Sequence, residues 1–156
     1  MNWTQAETAI RNHIETQWAL GAYATLPIVW ENEDNVNTTD VPESFVQINI
    51  EGTYADKTIY GSTGKRSSIE AGIIFYHCFV PIGSGKALAS GPVVTLGDIL
   101  QLQTISQVID LEGSNPPSPV YSQRDELDRE IINQNQPSGN YYRCSGSVPF
   151  IIRSVI

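Results

Sequence analysis

The chain has 156 residues, 40% of them hydrophobic, and a formal net charge of −8 from seventeen acidic and nine basic residues. This length fits one domain with a substantial core, and the composition argues against a disordered chain. A negative surface repels phosphate, which argues against sequence-independent DNA binding. The first residues lack the basic and apolar regions of a signal peptide, and no apolar run approaches a membrane span, so we expect folding in a cytoplasm.

The first predicted element is an amphipathic helix. Thr4 and Glu7 have the spacing of a capping box, which predicts a helix start at Thr4. Gly21 fits a C-terminal cap. His13 is interpreted as a surface or flanking residue, because no second metal ligand is spaced to meet it. The apolar stripe of the helix consists of Ala6, Ile10, Ile14 and Trp18.

Two strand patterns follow, separated by an acidic stretch. Alternation over Leu26, Ile28 and Trp30 predicts a short edge strand, and a polar loop then runs over 31–43. Residues 31–56 include seven acidic residues and no basic one. The usual interpretation is a solvated loop and a wet strand face, and the functional alternative is an acidic binding surface. Residues 46–50 alternate as a half-buried strand, with turns expected at Gly52 and over 61–64.

The longest strand signal covers 67–81. One face carries the larger apolar stripe, which comprises Ile69, Ala71, Ile73, Phe75 and Phe79, together with His77. The opposite face becomes apolar from Ile74 onwards, which is typical of a face covered by a helix or by another subunit. We interpret His77 as a packed, hydrogen-bonded histidine rather than a catalytic one.

The second half of the chain is predicted to contain another helix and a closing strand. A Gly/Ser loop over 81–91 precedes a helix over 93–106, with Pro92 in its first turn. Its sheet-facing residues are predicted to be Leu96, Ile99, Leu100 and Ile105. Residues 108–111 suggest a short strand. Residues 113–139 are interpreted as a long loop or an arm that grips a neighbour, with room for one or two helical turns over 125–132.

Period-two alternation over 141–156 predicts a strand with one apolar and one wet face. The apolar face comprises Tyr142, Cys144, Val148, Phe150 and Ile152. These elements predict an α+β fold, in which a mixed, mainly antiparallel β-sheet packs against two α-helices. We expect a single domain over 1–156.

No reactive constellation is recognisable in the sequence. The stretches 61–67 and 83–87 imitate a phosphate-binding loop, but both lack its upstream glycine and its hydroxyl residue, and neither clearly opens a helix. Cys78 and Cys144 are interpreted as reduced, packed thiols. The acidic cluster at 125–130 lacks the glycine spacing of a calcium loop, and Ser145–Ser147 lies in a strand rather than at a sharp turn. We therefore assign no catalytic, cofactor-binding or metal-binding residue and expect no enzyme activity.

Several segments of the sequence resemble the tail terminator (tail completion) family of tailed phages, which includes the lambda tail terminator. These are 28–32 before a polar loop, 45–48, 64–66 before the long strand, 80–85 before a helix, and 140–151 at the closing strand. The resemblance covers most of the chain in outline. It rests on segments typical of the fold rather than on catalytic motifs. Residues 113–139 are longer than the family leads one to expect.

The resemblance implies a ring of identical subunits, typically a hexamer, in the virion tail after assembly in the host cytoplasm. The ring caps the tail tube, ends its polymerisation and offers a surface to the head–tail connector. Its partners would be other copies of itself, the major tail tube protein and the connector protein, while DNA passes through an acidic lumen without specific binding. Alternatives are another head–tail joining or neck protein, or a small hydrolase or nucleotide-binding enzyme with an unrecognised site.

A closed ring needs two different surfaces that meet between neighbouring copies. The sequence offers an acidic stretch and a basic patch for this purpose. The basic candidates are Lys57, Lys65 and Arg66, and the acidic candidates are Glu31, Glu33, Asp34, Asp40 and Glu43. We hypothesise that these two sets face each other across the subunit boundary.

Overall fold

The computed structural model describes residues 2–31, 33, 43–60, 67–81, 83–101, 103–106, 109–111, 120–126 and 140–155. Two helices and seven strands occur in this part of the chain. In chain order they are α1 (Trp3–Ala19), β1 (Ile28–Trp30), β2 (Phe45–Tyr60), β3 (Ser67–Pro81), α2 (Lys86–Leu100), β4 (Thr104–Ile105), β5 (Ile109–Leu111), β6 (Val120–Glu126) and β7 (Asn140–Val155).

The strands form one mixed sheet in the order β1-β2-β3-β7-β5-β4, and β6 also pairs with β7. The β1–β2 pair is parallel, while all other described pairs are antiparallel. Three long strands, β2, β3 and β7, make up the centre. Both helices pack against the same face of this sheet. The predicted α+β class, with a mainly antiparallel sheet against two helices, is confirmed.

The start of α1 differs from the prediction by two residues. The N-cap is Asn2, whose side chain accepts a hydrogen bond from the Gln5 backbone, while the Gln5 side chain accepts one from the Asn2 backbone. Thr4 and Glu7 therefore lie inside the helix, because the first of two overlapping capping-box patterns is the one used. The stripe is confirmed, since Ala6, Ile10, Ile14 and Trp18 are all buried.

The C-cap of α1 is Leu20, in right-handed helical geometry. Gly21 follows it, and its backbone amide donates to the Trp18 carbonyl. Gly21 therefore occupies the position directly after the C-cap, where a capping glycine was predicted, although without a positive φ.

Helix α2 begins and ends earlier than the predicted range of 93–106. It starts after Gly85, whose φ of 99° favours glycine, and Pro92 lies within the helix rather than in its first turn. Proline has no N–H, so the Leu88 carbonyl one turn earlier lacks its helical donor. The Cys78 thiol donates to that carbonyl at 3.9 Å. Leu96 and Leu100 face the sheet as predicted, whereas Ile105 belongs to β4.

Strand β2 continues through the position where a turn was expected at Gly52. The strand accommodates a register shift between Gly52 and Tyr54, which is a local irregularity rather than a chain reversal. Gly52 lies against α1, since a Cβ there would be in ordinary contact with the Trp3 ring, at 3.4 Å. The turn predicted over 61–64 lies outside the described residues.

Strand β3 has the predicted bounds, and its two faces have different cover. The face beneath the helices carries Ile74, Tyr76, Cys78 and Val80, all buried. The face with the larger apolar stripe lies away from the helices, and most of it is only half-buried. Both faces of β3 are apolar, so the register with the neighbouring strands decides which face lies beneath the helices. Ile48 of β2 lies opposite Tyr76, and Val148 of β7 lies opposite Ile74.

The closing strand β7 alternates as predicted. Cys144, Val148, Phe150 and Ile152 are buried beneath the helices, while Ser147 and Arg153 are exposed on the other face. The short strand predicted near 108–111 is confirmed as β5.

The segment predicted as a loop or arm contains strand β6, which pairs with the first half of β7. The expected helical turn is therefore wrong for Asp125 and Glu126, which lie in this strand. The remainder of that turn, 127–132, falls outside the described residues.

Candidate functional site

The sheet face away from the helices has a buried end and an open end. At the buried end, Val29, Phe45, Phe79 and Tyr141 form a separate cluster, with the Phe45 and Phe79 rings 5.0 Å apart. Towards the other end, apolar side chains are half-buried or exposed. We call this set the open face, and it comprises Ile69, Ala71, Ile73, Phe75, Pro149 and Ile151. Among the described residues, this apolar strip is half-buried apart from exposed Ile69 and Pro149, which makes it a candidate site of contact with another molecule.

The open face continues onto three strands that extend past the start of α1. The Trp3 ring at that start lies over Gly52, and β2 continues from there to Tyr60, about 26 Å farther at about 3.3 Å per residue. The register keeps β3 and β7 beside it, with Ile69 opposite both Asp56 and Arg153. We call this region, made of 54–60, 67–71 and 151–155, the three-stranded end.

The predicted acidic and basic candidates that the structure describes lie far apart. Lys57 is in β2 within the three-stranded end. Glu31 follows β1 and Glu43 precedes β2, and both are exposed. From Phe45 at the start of β2 to Lys57 the strand spans about 40 Å. Asp34, Asp40, Lys65 and Arg66 lie outside the described residues.

Glu33 has a partner within its own chain. Its carboxylate accepts a hydrogen bond from Arg11 at 2.8 Å, and Arg11 also pairs with Glu15 at 3.0 Å. The Arg11 guanidinium lies 4.9 Å from the centre of the Trp30 ring, whose Nε1 donates to Glu15. The bond to Glu33 is the main cause that raises the pKa of Arg11. This network fixes α1 against β1.

A cleft of about 430 Å³ lies between α1 and α2. Antiparallel contact of the two helices forms it: His13 meets the Ile99 carbonyl at 3.3 Å, and Tyr23 packs against Gly91. Its size is within the range of ligand-binding clefts. It is lined by His13, Gln17, Leu20, Gly21, Thr95, Asp98, Ile99 and Gln103.

His77 lies in the middle of the face away from the helices. Its Nδ1 is 2.6 Å from the Ser145 hydroxyl, and the register places Gln47 and Ser145 on either side of it. The prediction that a ring nitrogen is hydrogen-bonded is confirmed. The Phe79 ring, 6.2 Å away, continues the apolar packing on that side.

The two cysteines lie directly opposite each other in β3 and β7. Both are buried and neither forms a disulfide bond, which confirms the prediction of reduced, packed thiols. Burial raises the pKa of the Cys78 thiol from 9.0 to about 12. A thiol in this state is a poor nucleophile at neutral pH, because the thiolate is the reactive form.

One of the two phosphate-loop imitations does open a helix, contrary to the prediction. Gly83 and Gly85 have positive φ angles, and α2 begins at Lys86 directly after them. The loop still has Val80 and Ala87 where such a site needs a glycine and a hydroxyl. Most of the other imitation, 61–66, is outside the described residues.

Within the described ranges, no group of three or more histidine, cysteine or acidic side chains could hold a metal ion. None of the helices described is long and apolar enough to cross a membrane.

Comparison with known proteins gives a fold likeness alone. No family model matches the chain, and no curated protein matches it. One solved structure shares the fold with a TM-score of 0.60 at 11% sequence identity, over 97% of this chain and 96% of that one. The likeness therefore extends over nearly the whole length of both chains.

The sequence points to one of these surfaces, the open face, and not to the other, the cleft. His13 and Asp98 come together only through the docking of two helices far apart in the chain, so no local spacing signals the cleft. The open face does have a signal, because apolar residues occur on both sides of β3. That pattern predicts that both faces are covered, one by the helices and the other by another molecule.

Proposed function

We propose that the chain is a structural subunit of a phage tail terminator, which forms a ring that caps the tail tube and joins it to the head. The observation that carries the proposal is the open face, with half-buried Ile73 and Phe75 on a three-stranded platform. This surface fits contact with another protein chain better than contact with a small substrate, because it is a broad sheet face rather than an enclosed cavity. The resemblance of the sequence to the tail terminator family indicates the kind of assembly.

Separation of charge along the sheet supports a head-to-tail contact. A ring closes only when one surface of a subunit meets a different surface of the next. Lys57 is about 40 Å along β2 from its start, while Glu31 and Glu43 lie at the other end. At that separation Lys57 cannot pair with Glu31 or Glu43 of its own chain. Glu33 contributes less, because Arg11 already pairs with it.

The proposal is tested by reversing the basic charges. Lys65→Glu with Arg66→Glu should prevent assembly of the ring while the monomer stays folded. Native mass spectrometry measures the oligomer, and circular dichroism with thermal unfolding measures the fold. An intact ring in the folded double variant would refute the charge pairing.

A milder pair of variants separates specific contacts from net charge. Lys65→Gln with Arg66→Gln makes the chain more negative by two charges, and so does Thr8→Glu with Asn12→Glu on the exposed side of α1. We expect the glutamine pair to weaken the ring and the α1 pair to leave it unchanged. Equal weakening by both would attribute the effect to overall repulsion and contradict the proposed contact.

The capping role has its own assay. Purified protein added to growing tail tubes should fix their length, as measured by electron microscopy. Tubes that continue to elongate, with ring-competent protein present in excess, would contradict a terminator role.

A further inference from the structure

The cleft between α1 and α2 has a negative electrostatic character. Asp98 is exposed within it, and the last turns of both helices contribute to its walls. Helix C-termini carry a partial negative charge, and neither helix has a basic residue in its last turn to offset it. A positively charged group placed in this cleft beside Asp98 is therefore stabilised by one full charge and by the C-terminal end of α2, in whose last turn Asp98 lies.

The cleft is also partly apolar. Leu20 is 80% exposed at its rim, and Ile99 is half-buried in its wall. Gln17 and Gln103 add amide oxygens that can accept hydrogen bonds. An aliphatic stem with a cationic end matches this combination, which is the chemistry of lysine and arginine side chains.

We infer that the α1–α2 cleft receives a lysine or arginine side chain from another copy of this chain. The inference rests on the proposed ring and gives it a second contact. The cleft lies along the C-terminal half of α1, on the other side of that helix from Glu33 and its partner Arg11. It therefore extends the acidic end of the molecule around α1.

The chain's own basic candidate on β2 cannot fill the cleft. Lys57 lies about 16 Å beyond Gly52 along the strand, and Gly52 is beside Trp3 at the opposite end of α1 from the cleft. From Trp3 to Gln17 the helix rises about 21 Å farther. Both separations exceed the length of a lysine side chain, so a basic group from that end can reach the cleft only between molecules.

The binding chemistry can be measured on the monomer with N-acetyl-arginine methylamide as the probe. Amide shifts in ¹H–¹⁵N spectra should move at Thr95, Asp98 and Ile99 and saturate. The norleucine analogue, which keeps the stem and lacks the charge, should bind at least several-fold more weakly. Asp98→Asn should weaken arginine binding at least several-fold, whereas Glu51→Gln, which removes an exposed carboxylate elsewhere, should leave it unchanged. No saturable shift, or equal binding by Asp98→Asn, would overturn the inference.

The source of the side chain is tested by assembly. If another copy supplies it, Asp98→Asn should raise the protein concentration needed for ring formation at least several-fold in native mass spectrometry. Wild-type assembly by the Asp98→Asn variant would overturn the inference, although the proposed ring would stand. A wild-type chain that forms no ring would instead count against the proposed function, and the arginine titration would still report on the cleft.

Discussion

Replacement of Gly146 by alanine probes the packing of the core most sharply. Gly146 lies in β7 directly opposite Tyr76 of β3. A Cβ at this position would be 2.4 Å from Tyr76 Cε2 and 2.8 Å from its hydroxyl oxygen, compared with an ordinary contact distance of about 3.5–4 Å. Tyr76 is fully buried beneath the helices, so its ring cannot move into solvent.

The magnitude follows from overpacking. Forcing an extra methyl group into a packed core costs about 1–3 kcal/mol, and the lower backbone entropy of unfolded alanine offsets about 0.4–1 kcal/mol of this cost. We expect Gly146→Ala to lower the free energy of unfolding by about 1–2 kcal/mol, since the clash dominates. For a chain of this length that corresponds to a decrease in Tm of about 2–8 °C.

Thermal and urea unfolding measure this effect, with Gly21→Ala as the matched control. A Cβ at Gly21 would meet its nearest neighbour, the Trp18 carbonyl oxygen, at an ordinary 3.6 Å, so that variant should be neutral or slightly stabilising. In a Tyr76→Leu background the cost of Gly146→Ala should decrease by about 1 kcal/mol or more, because contacting residues couple. An unchanged cost in that background, or a Tm equal to that of the wild type, would show that Tyr76 does not face Gly146.

Three further predictions concern stability. Leu96→Ala removes a fully buried side chain of α2 and should lower the free energy of unfolding in urea by about 2–5 kcal/mol. Val94→Ala, at a site that is 47% exposed, should lower it far less. Similar losses in the two variants would contradict the assigned buried face of the helix. Asn2→Ala removes the N-cap of α1 and should lower the free energy of unfolding by about 0.5–2 kcal/mol. A smaller effect than that of Thr4→Ala would contradict the assignment of Asn2 as the cap. Burial raises the pKa of Cys78 from 9.0 to about 12, so the folded state holds the thiol proton more tightly than the unfolded state does. The contribution of this thiol to the free energy of unfolding is complete below pH 9 and is lost as the pH rises towards 12. Urea unfolding should show that decline, less steeply in Cys78→Ala, and a decline as steep in the variant would exclude this thiol as its cause.

Regular periodicity made much of the fold predictable. The buried stripe of α1, the bounds of β3 and the alternating faces of β7 follow from spacing alone. Helix starts were less predictable. Asn2 with Gln5 and Thr4 with Glu7 both fit a capping box, and the pattern does not show which one is used.

The start of α2 depends on features that sequence patterns represent poorly. Pro92 is a strong signal for a first turn, yet it is tolerated inside the helix, where the Cys78 thiol donates to the carbonyl left without a partner. That contact joins two segments that meet only in the folded chain. A local reading of 81–91 as a loop could not include it.

The candidate surfaces were predictable only in part. Glu31 and Lys57 belong to charge patterns visible in the sequence, but the distance between them depends on β2 continuing through Gly52. The pairing of Glu33 with Arg11 depends on how α1 packs beside β1, and the cleft around Asp98 depends on how α1 docks against α2, so no local spacing encodes either. Apolar residues on both faces of β3 do indicate two covered faces, although only the register shows which one the helices cover.

Self-association of the purified wild-type chain tests the central claim most directly. Native mass spectrometry over a range of concentrations should show a closed oligomer of fixed stoichiometry, built from copies of the 17.2 kDa chain, and negative-stain images of the same sample should show rings. A chain that remains monomeric throughout that range, and that turns over a nucleotide or an ester, would contradict the account.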